Sequence, residues 1–123
     1  MRIFKWRPLL VSLLISMSCT SEKVSLENFN HETWKNDRKA CQNERSQYAD
    51  ALMAQKDKLL SLNEVGLVKY LGMPDQQEIY KRHEKFYYYF LDPSTECDSS
   101  GDRQRRLIVR FNAVGLSKEI AIE

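Results

Sequence analysis

The hydrophobic pattern of this 123-residue chain changes at Pro74, and this change constrains the fold more than any other feature. Before Pro74, apolar residues recur at spacings that give a helix one buried face. After Pro74, apolar and polar residues alternate, as they do in strands with one buried face. The sequence therefore predicts an α+β fold, in which two N-terminal helical segments pack on one face of a three- to four-stranded antiparallel sheet.

The first helical segment is predicted over residues 31–60, which contain neither glycine nor proline. Residues at spacings of seven, seven and four form one stripe of this segment: Trp34, Cys41, Tyr48 and Leu52. The pattern fits one long helix or two helices with a break near residues 42–46. We interpret Trp34 and Tyr48 as core residues, with ligand binding as the alternative.

A second helix is predicted to begin at Ser61, because Ser61 and Glu64 have the spacing of a capping box. Its predicted buried face consists of Val65, Leu67, Val68 and Leu71. Gly72 is placed to end the helix in the left-handed conformation, and Pro74 prevents its continuation.

Four strands are predicted after Pro74, over residues 77–82, 85–91, 106–112 and 116–122. Residues 112–115 form the predicted turn between the last two strands. The connection over residues 92–105 is long, polar and rich in turn residues, so it would lack a fixed position unless another contact held it. Cys97 lies in the middle of this connection.

The first nineteen residues have the three-part layout of a secretory signal. Three basic residues stand at its start: Arg2, Lys5 and Arg7. A short apolar run over residues 9–17 and the small Ser18 then precede Cys19. The run is about half of the roughly 20 residues that a membrane-spanning helix needs. We therefore predict that residues 1–18 direct export and do not anchor the protein.

This stretch resembles a bacterial lipoprotein signal, in which the cysteine after the cleavage site is diacylated and becomes the mature N-terminus. The resemblance implies that Cys19 carries the lipid and attaches the protein to a membrane. Thr20, rather than aspartate, follows Cys19. By resemblance to the sorting pattern of enteric bacteria, this implies the outer membrane, facing the periplasm. Residues 19–30 are then the lipidated cysteine and a flexible tether, and residues 31–123 form a single domain.

The size and charge of the mature chain limit its partners. Cleavage before Cys19 removes 18 of the 123 residues and leaves 105, enough for one modest domain. Losing the three basic residues of the signal changes the formal charge from +2 to −1. A nearly neutral chain lacks the positive surface that nucleic acids require, so no nucleic-acid partner is expected.

Two cysteines remain once Cys19 is assigned to lipid, and an oxidising compartment favours their pairing. We predict one disulfide bond between Cys41 and Cys97. It would hold the middle of the connection over residues 92–105 against the helical half of the domain. Two inert, separately buried cysteines are the alternative.

The sequence contains no clear motif for catalysis or for binding a metal or cofactor. His31 and His83 are the only histidines, and neither belongs to a metal-binding motif, so both are predicted to be solvated surface residues. Four acidic residues of the long connection are either ordinary turn residues or calcium ligands: Asp92, Glu96, Asp98 and Asp102. Their spacing differs from that of a known calcium loop. We predict that the protein is not an enzyme and uses no metal or cofactor.

The aromatic run over residues 86–90 (FYYYF) is the most informative feature of the mature chain. Strand alternation places Phe86, Tyr88 and Phe90 on one face and the two other tyrosines on the opposite face. If the more apolar set packs on the helices, the outer face carries a candidate protein-binding patch of Tyr87, Tyr89, Ile108 and Arg110. The alternative is that the tyrosines only cover an open sheet face and keep their hydroxyl groups hydrated.

Three stretches carry a resemblance to a known family: residues 68–75 (VKYLGMPD), 87–90 (YYYF) and 107–115 (LIVRFNAVG). Together with the lipoprotein signal and the order of helices and strands, they resemble the small SmpA/OmlA-type outer-membrane lipoproteins. The fold of that family is shared with the repeats of β-lactamase inhibitor proteins. Family members act in barrel-assembly machinery, so the resemblance implies a scaffolding role.

These observations predict a lipid-anchored protein-binding or scaffold module of the bacterial envelope. Its expected partners are the membrane, through the lipid on Cys19, and an envelope protein involved in outer-membrane assembly or maintenance. The alternative, from another class, is a small periplasm-facing enzyme or enzyme inhibitor.

Overall fold

A four-stranded antiparallel sheet follows a helical N-terminal half, in a computed structural model that describes residues 25–98 and 104–123. The α-helices are α1 (His31–Asn36), α2 (Ala49–Ala54) and α3 (Glu64–Leu71). The strands, in their order across the sheet, are β1 (Gln76–Ile79), β2 (Lys85–Phe90), β3 (Arg106–Phe111) and β4 (Ser117–Ile122). Short 3-10 helices lie at Arg38–Ala40, Arg45–Tyr48, Lys56–Leu59 and Lys81–His83. The predicted α+β class is confirmed.

Of the two alternatives for residues 31–60, one long helix is wrong and a break between two helices is present, because the chain turns repeatedly between α1 and α2. The carboxylate of Asp37 accepts hydrogen bonds from the backbone N–H groups of Gln42, Glu44 and Arg45 at 2.7 to 3.1 Å. A side chain that takes backbone donors in this way competes with helical hydrogen bonding. Three residues in this region also adopt a positive φ: Lys39, Ala40 and Asn43. The segment is therefore a series of short helical turns.

The predicted stripe of the first segment is only partly buried. Trp34 and Leu52 are fully buried and Tyr48 is half-buried, so the interpretation of Trp34 as a core residue is confirmed. The indole N–H of Trp34 donates to the carbonyl oxygen of Leu71 at 3.0 Å, which joins α1 to α3. Cys41 is exposed, because the left-handed turn before it takes the chain out of the helical register.

Helix α3 begins two residues later than the predicted Ser61–Glu64 capping box. Asn63 caps it, with its side-chain oxygen accepting from the backbone N–H of Gly66 at 2.7 Å. Ser61 instead adopts a φ of 63°. Of the predicted buried face, Leu67 and Leu71 are buried and Val68 is half-buried, whereas Val65 is 80% exposed. The prediction for Val65 is therefore wrong, since a residue two positions before the buried Leu67 lies about 200° around the helix from it.

Gly72 ends α3 as predicted, but with φ of 75° and ψ of −175° it adopts an extended conformation that essentially only glycine tolerates and not the predicted left-handed helical one. A Cβ atom at this position would also lie 3.1 Å from the Cγ atom of Lys35. The backbone N–H of Gly72 donates to the carbonyl oxygen of Val68 at 2.8 Å. Conformation and close approach to α1 therefore both require glycine here.

The first strand is shorter than predicted, because it ends at Ile79 and not at residue 82. Arg82 and His83 adopt φ values of 66° and 61°, which no strand can contain. At the other end of the sheet, Leu116 makes an isolated bridge to Asn63, and β4 proper begins one residue later.

The predicted disulfide bond between Cys41 and Cys97 is present, with a distance of 5.3 Å between the two Cα atoms. It ties the connection after β2 to the turn after α1, as expected. Nearby, the backbone N–H of Ser94 donates to the carbonyl oxygen of Lys39 at 3.2 Å. Asp92 and Arg105 pair at 3.0 Å across the base of the connection. Residues 99–103, and with them the candidate calcium ligand Asp102, lie outside the described residues.

Residues 25–30 belong to the folded domain, although the sequence predicts that the tether extends to residue 30. Leu26 is buried in the core. The ring of Phe29 packs against those of Trp34 and Tyr48, at centroid distances of 5.4 and 5.1 Å. The side chain of Asn30 caps α1. The signal segment and Cys19 lie outside the described residues.

In the described part of the chain, no helix combines the length and the apolar character that crossing a membrane requires.

Candidate functional site

The two faces of the sheet differ in what they contact, and the face that meets the helices contains Tyr87 and Tyr89. These tyrosines are 6% and 0% exposed. The Tyr89 ring lies 6.1 Å from that of Trp34, and its hydroxyl group donates to the carbonyl oxygen of Gly72 at 2.9 Å. The Tyr87 hydroxyl group donates to a carboxylate oxygen of Glu64 at 2.6 Å. The prediction that both tyrosines lie on the outer face is therefore wrong.

The physical reason is that each buried hydroxyl group reaches a partner at the margin of the core. A buried tyrosine is tolerated when its hydroxyl group is hydrogen-bonded, and its ring then contributes as much apolar contact as phenylalanine. The sequence of β3 does indicate which face of that strand is buried, through Leu107, Val109 and Phe111. The pairing of Tyr87 with Val109 across the sheet places the tyrosines on that same face. The sequence does not specify this pairing register.

We call the opposite face of the sheet the outer face. It carries six large side chains from the two central strands: Phe86, Tyr88, Phe90, Arg106, Ile108 and Arg110. Five of the six are half-buried, and Tyr88 is nearly covered by its neighbours. Ile108 and Arg110 therefore lie on the outer face as predicted, but beside Phe86 and Tyr88 and not beside the two buried tyrosines.

Aromatic rings and an arginine form a continuous row on the outer face. The guanidinium carbon of Arg106 lies 4.4 Å from the ring centroid of Tyr88. Phe86 stacks on Tyr88 at 6.4 Å, and Tyr80 contacts Phe86 edge-on at 5.1 Å. The Tyr88 hydroxyl group donates to Glu78 at 2.9 Å. Burial, and then this hydrogen bond to a carboxylate, raises the pKa of Tyr88. The row is thus held in place before any partner arrives.

Ion pairs fix the two arginines of this face. Arg110 contacts Glu84 at 3.2 Å and Glu119 at 3.1 Å, and Arg106 contacts Glu123 at 3.2 Å. All of these groups are about a third exposed or more, so the pairs add little to stability. Their effect is to orient the guanidinium groups across the sheet surface.

A cleft of about 560 Å³ lies where the outer face meets the disulfide-bonded connection. Its sheet side includes Gln76, Phe90 and Arg106, and its opposite wall includes Lys39 and Glu96. Lys39 and Glu96 form an ion pair with each other. The volume is within the range of small-molecule sites, but the lining combines charges of both signs. The cleft therefore extends the outer face as a polar border.

A buried ion pair lies beneath this cleft, and the sequence does not predict it. Arg45 and Asp75, whose side chains are fully buried, contact each other at 2.6 Å. Asp75 also accepts from the backbone N–H groups of Lys39 and Phe90 at 2.9 and 2.8 Å. Arg45 lies 4.8 Å from the ring centroid of Trp34. The pair joins the helical half to β2, and nothing in the spacing of Arg45 and Asp75 indicates their contact.

The histidines and acidic residues occupy other roles. His31 is half-buried, with its Nδ1 atom 2.8 Å from the carbonyl oxygen of Tyr70, so the prediction of a solvated surface residue is wrong for it. His83 is exposed, as predicted. Among the residues that the structure describes, no group of three or more histidine, cysteine, aspartate or glutamate side chains is arranged to hold a metal ion. Asp92 and Glu96 pair with cations instead.

Comparisons with protein-family models, with curated proteins and with solved structures find no match to this chain. The resemblance to the SmpA/OmlA-type lipoproteins therefore stays a prediction from the sequence.

Proposed function

We propose that this protein is a lipid-anchored protein-binding or scaffold module of the bacterial cell envelope, facing the periplasm, and that it binds a partner protein with the outer face of its sheet. The observation that carries the proposal is the composition of that face. Aromatic side chains and arginine dominate the binding energy of most protein interfaces. Here Phe86 lies opposite Arg110 and Phe90 lies opposite Arg106 on the adjacent strand, and all four side chains are half-exposed.

The order within the outer face supports this proposal. Binding costs free energy when flexible side chains must be immobilised, by about 0.5–1.5 kcal/mol for each long side chain. Arg106 already rests on the ring of Tyr88, and Arg110 is already held by two carboxylates. A partner that contacts this face therefore finds its main anchors in position.

The cellular part of the proposal rests on the sequence. The signal layout of residues 1–18 and the position of Cys19 support export and lipidation. The outer membrane is favoured because Thr20 follows Cys19. A role in outer-membrane assembly or maintenance is what the family resemblance implies, and it would make an envelope protein the partner.

Affinity capture from detergent-solubilised envelope tests the proposal with a matched pair of variants. Ile108→Asp places a charge in the centre of the outer face, and Val65→Asp places the same charge at an exposed apolar residue of α3. We expect Ile108→Asp to reduce partner recovery about tenfold, equivalent to about 1.4 kcal/mol, and Val65→Asp to leave it unchanged. Thermal unfolding of both variants verifies that they fold. Equal recovery by the two variants, or repeated recovery of no partner by the wild type, would contradict the proposal.

A further inference from the structure

Strand β1 forms one edge of the sheet and has β2 as its neighbour. The backbone N–H of Tyr80 donates to the carbonyl oxygen of Glu84 at 2.7 Å. This bond shows which residues of β1 direct their backbone groups toward β2. In an antiparallel pair, every second residue directs both backbone groups toward the neighbouring strand. Gln76, Glu78 and Tyr80 therefore face β2, and the backbone groups of Gln77 and Ile79 point away from the sheet.

The two edges of the sheet differ in their protection. At the start of β4, the backbone N–H of Ser61 donates to the carbonyl oxygen of Ser117, and the backbone N–H of Ser117 donates to the carbonyl oxygen of Leu62, both at 2.8 Å. The exposed charge of Lys118 follows. Covering an edge and placing lysine on it are two ways in which proteins prevent strand pairing with other molecules. The two outward-pointing residues of β1 are uncharged.

Apolar side chains are exposed along β1, on both faces of the sheet. Ile79 is 74% exposed and Tyr80 is 57% exposed. Tyr80 continues the aromatic row of the outer face through its contact with Phe86. An incoming strand beside β1 would bury part of both side chains while its backbone paired with Gln77 and Ile79. The edge therefore offers hydrogen bonds and apolar contact together.

A group of basic side chains follows this edge directly, and we call it the basic tip: Lys81, Arg82 and His83. All three side chains are exposed, and none of them forms a hydrogen bond or ion pair with another described residue. Neighbouring cations differ in this respect, because Lys85 pairs with Glu64 at 2.8 Å and Arg110 pairs with Glu84. The basic tip is therefore available to an anionic group outside the domain.

We propose that β1 binds an extended, acidic segment of a partner protein by strand addition. The segment pairs its backbone with Gln77 and Ile79, places an apolar side chain beside Ile79, and brings a carboxylate to Lys81 or Arg82. This inference deepens the proposed function, on which it rests, by naming the kind of polypeptide segment and the way it binds. Charge complementarity with the basic tip selects an acidic segment among the strands that could pair with an open edge.

The test uses proline at the edge. Gln77→Pro removes an N–H group that points away from the sheet, so the β1–β2 pairing is kept while strand addition is blocked. Gln77→Thr keeps the N–H group and is the matched control. The probe is a displayed library of random linear peptides, selected on the full-length wild-type protein in detergent. We expect enriched peptides to alternate apolar and polar residues and to carry aspartate or glutamate.

The affinity of these peptides should fall about tenfold for Gln77→Pro, because one backbone hydrogen bond is removed and the proline ring obstructs pairing. For Gln77→Thr the affinity should stay within about twofold of the wild-type value. Lys81→Ala with Arg82→Ala should weaken binding and reduce its salt dependence. Hydrogen exchange on the wild type gives a second readout, because bound peptide should slow exchange of the Gln77 and Ile79 amides. Failure to enrich any peptide, unchanged binding by Gln77→Pro, or unchanged exchange at both amides would overturn the proposal.

Two further outcomes distinguish strand addition at β1 from lipid binding and from binding at the outer face. If vesicles containing phosphatidylglycerol bind the protein through Lys81 and Arg82 while no peptide depends on Gln77, the basic tip recognises a lipid surface and strand addition is wrong. If Ile108→Asp loses a captured partner that Gln77→Pro keeps, the protein-binding function stands and the edge is not its site.

Discussion

Tyr89 connects the sheet to the end of α3 through one hydroxyl group, and its burial makes it a residue of the core. Its ring is fully buried and its hydroxyl group donates to Gly72. We expect Tyr89→Phe to lower the free energy of unfolding by about 1–2 kcal/mol, and Tyr89→Ala by about 3–5 kcal/mol because a cavity remains. Denaturant unfolding measures both. Tyr80→Phe, at an exposed position, should change stability by less than about 0.5 kcal/mol. If Tyr89→Ala were as stable as the wild type, the assignment of Tyr89 to the core would be wrong.

Asp75 compensates the buried charge of Arg45, so its loss should be costly. Replacing one partner of a buried ion pair leaves the other charge without compensation, which typically costs about 3–5 kcal/mol. We expect Asp75→Ala to show this loss in denaturant unfolding, whereas Asp57→Ala, at an exposed carboxylate, should be nearly neutral. The double variant Arg45→Met with Asp75→Ala should lose less free energy of unfolding than the two single variants lose in sum. Strict additivity would show that the two side chains do not depend on each other.

Three adjacent tyrosines of β2 should make the fold sensitive to alkaline pH. Burial raises the pKa of Tyr87 and Tyr89 far above the usual value, and it also raises the pKa of Tyr88. A phenol whose pKa is higher in the folded state contributes stability fully below its unfolded pKa of about 10, and this contribution is lost as pH rises above that value. Tyrosinate absorbance and circular dichroism should therefore change together above about pH 10. Ionisation of all the tyrosines without loss of structure would contradict this.

At the scale of elements, the Cys41–Cys97 disulfide bond joins a turn of the helical half to the connection between β2 and β3. The cysteines are 56 residues apart. Closing a loop of this length lowers the entropy of the unfolded chain and so stabilises the folded state by about 4 kcal/mol. Cys41→Ser and Cys97→Ser should therefore reduce stability by similar amounts, and the double variant by no more than either. Unfolding with and without reductant provides the control. Two independently alkylatable cysteines in protein purified from the envelope would disprove the bond.

The elements that the sequence predicts well are those with a local chemical cause. Gly72 and Pro74 determine where α3 ends, and the alternation of β3 requires no distant contact. The break after α1 depends instead on the Asp37 carboxylate, whose acceptor role exists only once the chain has folded around it. The predicted faces of β2 are wrong for a similar reason. Tyr89 can be buried because Gly72, seventeen residues away, offers its hydroxyl group a carbonyl oxygen.

At the scale of the whole molecule, lipidation of Cys19 is the prediction on which location depends. The apolar run over residues 9–17 is too short to hold a domain in a membrane, so attachment should require the acyl chains. We expect Cys19→Ala to abolish acylation and to leave a soluble or uncleaved protein. Intact-mass measurement of the mature wild type is the decisive comparison. An unacylated N-terminus at another residue would refute the lipoprotein assignment.

The burial of Leu26 limits how far the domain can move from its anchor. With lipid on Cys19, six residue steps lead to Ser25, where the packed domain begins, and a fully extended chain of that length spans about 20 Å. A tether that lasted to residue 30 would have spanned about twice that distance. With this anchor, the domain would stay within roughly its own width of the lipid headgroups. Any protein that it recognises would then have to approach the membrane, because the domain could not extend outward.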